Sequence, residues 1–71
     1  MGEEIRAEMV ANVWKVTVTE GQAVADGDTV AILESMKMEI PVVCSTDGTV
    51  SALHVAEGEA VQEGDLIATI V

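Results

Sequence analysis

The chain has 71 residues, about half of them apolar and twelve of them valine, with one aromatic residue, Trp14, and a formal charge of −10. That length suffices for one domain, residues 1–71, burying only about 60% of the surface its unfolded chain exposes, and the valines suit a β-rich core. The charge argues against nucleic acid and anionic membranes, which are bound through basic side chains that replace counterions, and favours protein partners with basic or mixed docking faces.

The N-terminal stretch MGEEIRAEMV carries acids where a secretory signal has a basic start and an apolar run. The longest apolar runs, such as VAIL and IPVV, fall far short of a membrane span. The single cysteine, Cys44, can form no internal disulfide, so a reducing, cytoplasmic setting is expected.

From residue 13 the chain is written twice. A shift of 37 positions sets VWKVTVTEGQAVADGDTVAILE, residues 13 to 34, on VSALHVAEGEAVQEGDLIATIV, residues 50 to 71, with nine of 22 pairs identical. Two copies are too few for a solenoid, and they predict a two-fold pseudosymmetric domain. In the first copy Trp14, Val16 and Val18 alternate with polar residues, as do Val30 and Ile32, and this is the period of strands. Val13 falls out of phase with Val16, as Val50 does with Leu53, which predicts a β-bulge at the same place in each copy. Glu-Gly and Gly-Asp pairs punctuate both copies: glycine supplies the positive φ of tight turns, and the acids are expected to serve turn chemistry and solvation. A metal role does not fit, because the spacing lacks the repeated oxygen ligands of a calcium loop. No stretch of helical period survives this punctuation. The fold expected is all-β, a flattened barrel of two related four-stranded halves.

Between the copies stands ESMKMEIPV. Lys37 falls on the hairpin joining the strand around Thr29 to Glu34 with the one around Met38 to Val43. Shifted by 37 either way, Lys37 lands just beyond one chain end or the other, so the symmetry puts the lysine and the termini at opposite ends of the domain. A catalytic lysine needs burial or a cationic neighbour to become a good nucleophile, and this one is surrounded by Glu34, Ser35, Met36, Met38 and Glu39. It reads as a substrate for modification rather than as a catalyst.

Met36-Lys37-Met38 at the centre, Gly-Asp in both copies and Gly48-Thr49-Val50 downstream resemble the biotinyl, or biotin carboxyl carrier, domain over nearly the whole chain. The resemblance implies biotin joined covalently to Lys37 by a biotin protein ligase. It also implies carriage of a carboxyl group between biotin carboxylase and carboxyltransferase components. In this reading the domain is a carrier rather than an enzyme. Met36 and Met38 favour biotin over lipoate, since the similar lipoyl domains typically have Asp-Lys-Ala. Thioethers beside the amine would give the ligase an adaptable apolar grip, and Glu34 and Ser35 complete the hairpin. The chain departs from the family at Ser35, where alanine is usual, and at Glu8 and Ala11, and it has no counterpart of the loop some members insert. A stand-alone monomeric carrier is expected, with an excised carboxylase domain, a lipoyl-type acyl carrier and an unmodified interaction module as alternatives.

His54 is expected to be an ordinary surface residue, Cys44 a small, partly buried one, and Trp14 a cover for the barrel surface rather than a ligand-stacking ring. No metal set, phosphate loop or nucleophile elbow is present in the sequence.

Overall fold

The computed structural model describes residues 2–71. Eight strands form among them, β1 (Glu3–Arg6), β2 (Ala11–Val16), β3 (Ala23–Val24), β4 (Thr29–Ser35), β5 (Met38–Val43), β6 (Gly48–Leu53), β7 (Ala60–Val61) and β8 (Leu66–Ile70), and these residues contain no helix. Two antiparallel four-stranded sheets result, ordered β1-β8-β6-β3 and β5-β4-β2-β7. Adding 37 to the residue numbers carries β1–β4 onto β5–β8 and one sheet onto the other. Each sheet therefore takes two strands from each copy. One copy by itself would leave β1 and β3 without the partners β8 and β6, so the copies fold as a unit.

The core repeats with the same period. Val13, Val24, Val30, Ala31 and Leu33 are buried in one copy, and Val50, Val61, Ile67, Ala68 and Ile70 in the other, all within one cluster. The predicted bulge is present in both: register slips between Val13 and Lys15 against β4, and between Val50 and Ala52 against β8. A second pair of bulges was not foreseen. Register also slips between Thr29 and Ala31 against β5, and between Ile5 and Arg6 against β8. An extra residue reverses which face the following side chains occupy. The alternation expected around Val30 and Ile32 is therefore wrong in β4: Val30, Ala31 and Leu33 are buried, while Ile32 is only half-buried.

The repeated acids divide into two kinds. Asp28 and Asp65 serve their own turns, accepting from the amides of Ala25 and Gln62 at 2.9 Å each. Glu20 and Glu57 do more than the expected turn chemistry and solvation. Just beyond each bulge, the Val16 amide donates to Glu57 Oε2 at 3.0 Å, and the Leu53 amide to Glu20 Oε2 at 2.9 Å. Each glutamate thus leaves its own copy to hold the bulged strand of the other. Cys44 is fully buried rather than partly so, at the place Ala7 holds in the first copy. The equivalence extends to the backbone: the Cys44 amide donates to Asp28 O at 3.0 Å, and that of Ala7 to Asp65 O at 2.8 Å.

Candidate attachment site

Strands β4 and β5 pair as far as Ser35 opposite Met38, which leaves Met36 and Lys37 alone to make the turn. Both have positive φ, 53° and 65°. That is the pattern of the type I′ hairpin, whose twist matches its strands and which ordinarily uses Asn-Gly or Asp-Gly. A left-handed conformation costs a residue with a Cβ roughly 1–2 kcal/mol, so this turn uses unfavourable residues where glycine would be easy. Sequence reasoning missed that geometry. The only available signal was the two-residue gap, because neither Met nor Lys is a turn former.

The turn projects its side chains into solvent. Met36 is 88% exposed and Met38 60%, and Lys37 is exposed between them. The one ion pair among the described residues joins Arg6 to Glu4, which leaves the Lys37 ammonium outside any ion pair there. Glu34 faces Glu39 directly across the hairpin, one pair below Ser35 and Met38. Like charges so placed destabilise a strand pair. A groove of about 300 Å³ lies beside the turn, lined by Val10, Asn12, Glu34, Ser35 and Met36 among others. The Lys37 amine is reached from open solvent, between two exposed thioethers.

The sequence motifs do not all gather here. Glu3 pairs with Ile70 at the position where Ile40 pairs with Leu33 below the lysine turn. Gly2 and Val71 therefore lie together at the far pole. Gly48-Thr49-Val50 lies at that pole too: the Thr49 amide donates to Val71 O at 2.8 Å, and the Val71 amide to Thr49 O at 2.9 Å. A Cβ on Gly48 would collide with the Val71 carbonyl oxygen and lie 2.8 Å from Ile70 Cγ2. This glycine lets the final strand pass; it does not meet Lys37. His54 lies on the surface, Nε2 at 3.0 Å from Thr69 Oγ1. Trp14 is 44% exposed, with Lys15 Nζ 5.6 Å from its ring centroid.

Two interleaved four-stranded sheets, with one exposed lysine on a tight central hairpin, define a small carrier-type domain. The chain belongs to the biotin/lipoyl attachment family, whose model, described as biotin-requiring enzyme, matches residues 1–70. It is 51% identical over 70 residues, 99% of each chain, to the biotinylated protein TB7.3 homolog of Mycobacterium leprae. It is 48% identical over 54 residues to the biotin-dependent acyl-coenzyme A carboxylase alpha3 subunit of the same organism, matching 76% of this chain and 9% of that one. The crystal structure of Kluyveromyces lactis urea carboxylase superposes with a TM-score of 0.92 at 35% identity, covering all of this chain and 6% of that one. The chain is a domain of the biotin carboxyl carrier type, in which the protein's part is to position the group it carries.

Proposed function

We propose that Lys37 is biotinylated by a biotin protein ligase in the cytoplasm, and that the tethered biotin carries a carboxyl group between the active sites of a biotin-dependent carboxylase. The observation that carries this reading is the exposed Met36-Lys37-Met38 turn, raised on two paired strands and outside any ion pair among the described residues. In the attachment step Lys37 Nζ, deprotonated at the ligase, forms an amide bond to the carboxyl carbon of biotin activated with ATP. The activating group leaves, and the amine's proton passes to solvent.

The amide-linked arm has about ten single bonds and reaches on the order of 14 Å when extended. That is only part of the way between two separate enzyme sites. The whole domain must therefore travel, while the paired strands keep the arm's root fixed within it. Bond making belongs to the partners, a biotin carboxylase and a carboxyltransferase.

Co-expression with a biotin protein ligase tests the reading. Intact mass should rise by one biotinyl group in the wild type and not in Lys37→Ala, while Lys15→Arg should gain it normally. A lipoyl-sized increment would turn the reading to acyl transfer. An unmodified wild type beside an active ligase would refute attachment altogether.

A further inference from the structure

The duplication provides an internal control for surface chemistry. On the outer face of the lysine-bearing sheet, Lys15 is opposite Ile32 and Ile32 opposite Pro41, with Trp14 at the bulge. On the other sheet the equivalent positions are Ala52, Thr69, Glu4 and Ser51, paired in the same way. Exposure matches at three of the four positions, with Trp14, Ser51, Pro41 and Glu4 exposed and Ile32 and Thr69 half-buried, while Lys15 is exposed where Ala52 is half-buried. At those three positions only the chemistry differs. One sheet presents tryptophan, isoleucine and proline around Lys15 where its twin presents serine, threonine and glutamate around Ala52, so the fold itself does not require those three apolar side chains there.

We propose that Trp14, Ile32 and Pro41, with the facing carboxylates Glu34 and Glu39, form the surface on which the biotin protein ligase docks. The proposal rests on the attachment reading above. Two features on this face select that occupant. The row lies three residue pairs below Ser35 and Met38, roughly 10 Å along the strands. An enzyme that makes a bond at Nζ, on the order of 6 Å from the backbone, must bring its own surface over the hairpin and the rows beneath it. Enzymes that act on the far end of a 14 Å arm can work without touching them. The second feature is charge. Between the turn and the apolar row stand Glu34 and Glu39, opposed at a cost to the hairpin. They call for arginine or lysine on the partner. The fitting surface is an apolar cleft edged with cations, with Trp14 as the aromatic anchor that such interfaces favour.

The test grafts the twin sheet's residues, Trp14→Ser and Ile32→Thr, singly and together. Biotinylation is followed by intact mass with purified ligase, biotin and ATP. KM for the carrier should rise roughly tenfold or more in the double variant, as for loss of an anchor, with kcat within twofold. Ser51→Trp on the opposite sheet should change neither. An unchanged KM overturns the proposal, as does a variant that is biotinylated normally but fails in carboxylation. A wild type that takes up no biotin instead removes the attachment reading beneath it. Should the grafts unfold, the wild type still decides: Trp14 is the sole tryptophan, so 5-fluorotryptophan labelling gives one fluorine resonance. Saturating unlabelled ligase should shift or broaden it, and an unmoved resonance overturns the proposal.

Discussion

Replacing Gly48 by alanine separates what the Gly-Thr-Val motif does for the fold from what the lysine turn does for attachment. The added Cβ would meet the Val71 carbonyl oxygen and lie 2.8 Å from Ile70 Cγ2. One of these is backbone, so the end of β8 must move. Overpacking of this kind costs about 1–3 kcal/mol, and peeling Val71 away would also weaken its two hydrogen bonds with Thr49, worth about 1 kcal/mol each. A chain of this size holds only about 4–11 kcal/mol in total, at roughly 0.05–0.15 per residue. Gly48→Ala should therefore lower Tm by roughly 5–20 °C, taking about 4–8 °C per kcal/mol for a domain of this length, and lower the urea midpoint in step. Deleting Val71 from the variant should recover part of the loss, a non-additivity expected of residues in contact. Biotinylation of the folded variant should proceed at the wild-type rate, because Gly48 lies at the pole away from Lys37. A variant melting with the wild type would refute the collision. A folded variant that is biotinylated slowly would refute the separation of motif and site.

Other substitutions test the remaining parts. Glu20→Ala and Glu57→Ala should each cost about 1 kcal/mol by freeing the amides of Leu53 and Val16, measured by urea denaturation; no loss from either would deny the cross-copy tie. Leu33→Ala and Ile70→Ala remove equivalent, fully buried side chains and should each cost about 2–5 kcal/mol, in similar amounts, so a large inequality in thermal melts would show that the two half-cores are not alike. Met36→Gly should raise stability by up to about 1 kcal/mol, since glycine relieves the left-handed φ of 53°, and should slow biotinylation. A lower urea midpoint would contradict the turn assignment.

The eight strands, the central hairpin and the first pair of bulges were legible because one copy corroborates the other. The slip in phase at Val13 would mean little in a single strand, and its recurrence at Val50 made it a backbone feature. The bulges at Val30 and Ile67 escaped because every residue around them is apolar or small, so an extra residue leaves no polar mark in the pattern. The roles of Glu20 and Glu57 were hidden for a different reason: beside glycine a glutamate suggests a turn, and only the pairing of strands across copies shows that its partner lies more than 30 residues away. The reading of Lys37 came from its place between copies. The positive φ of Met36 and Lys37 left only the two-residue gap as a signal, since the residues there contradict the turn they adopt.

A duplicated fold offers two observations at each position, and agreement between them separates scaffold from specialisation. Val13 and Val50, Glu20 and Glu57, Gly27 and Gly64 agree, and each pair has a packing, capping or turn role that the two copies share. Disagreement needs a further step, because local packing can also produce it. Ala11 and Gly48 differ, and the passing backbone of Val71 accounts for the glycine without any appeal to function. Trp14 and Ser51, Ile32 and Thr69, Pro41 and Glu4 differ where exposure and strand pairing are the same, so no such local cause is at hand. All three apolar members lie on the sheet that carries Lys37. Lys15 and Ala52, in the same rows, differ in the opposite sense, so the bias is confined to Trp14, Ile32 and Pro41, and a partner that must reach Lys37 meets the sheet that carries these three.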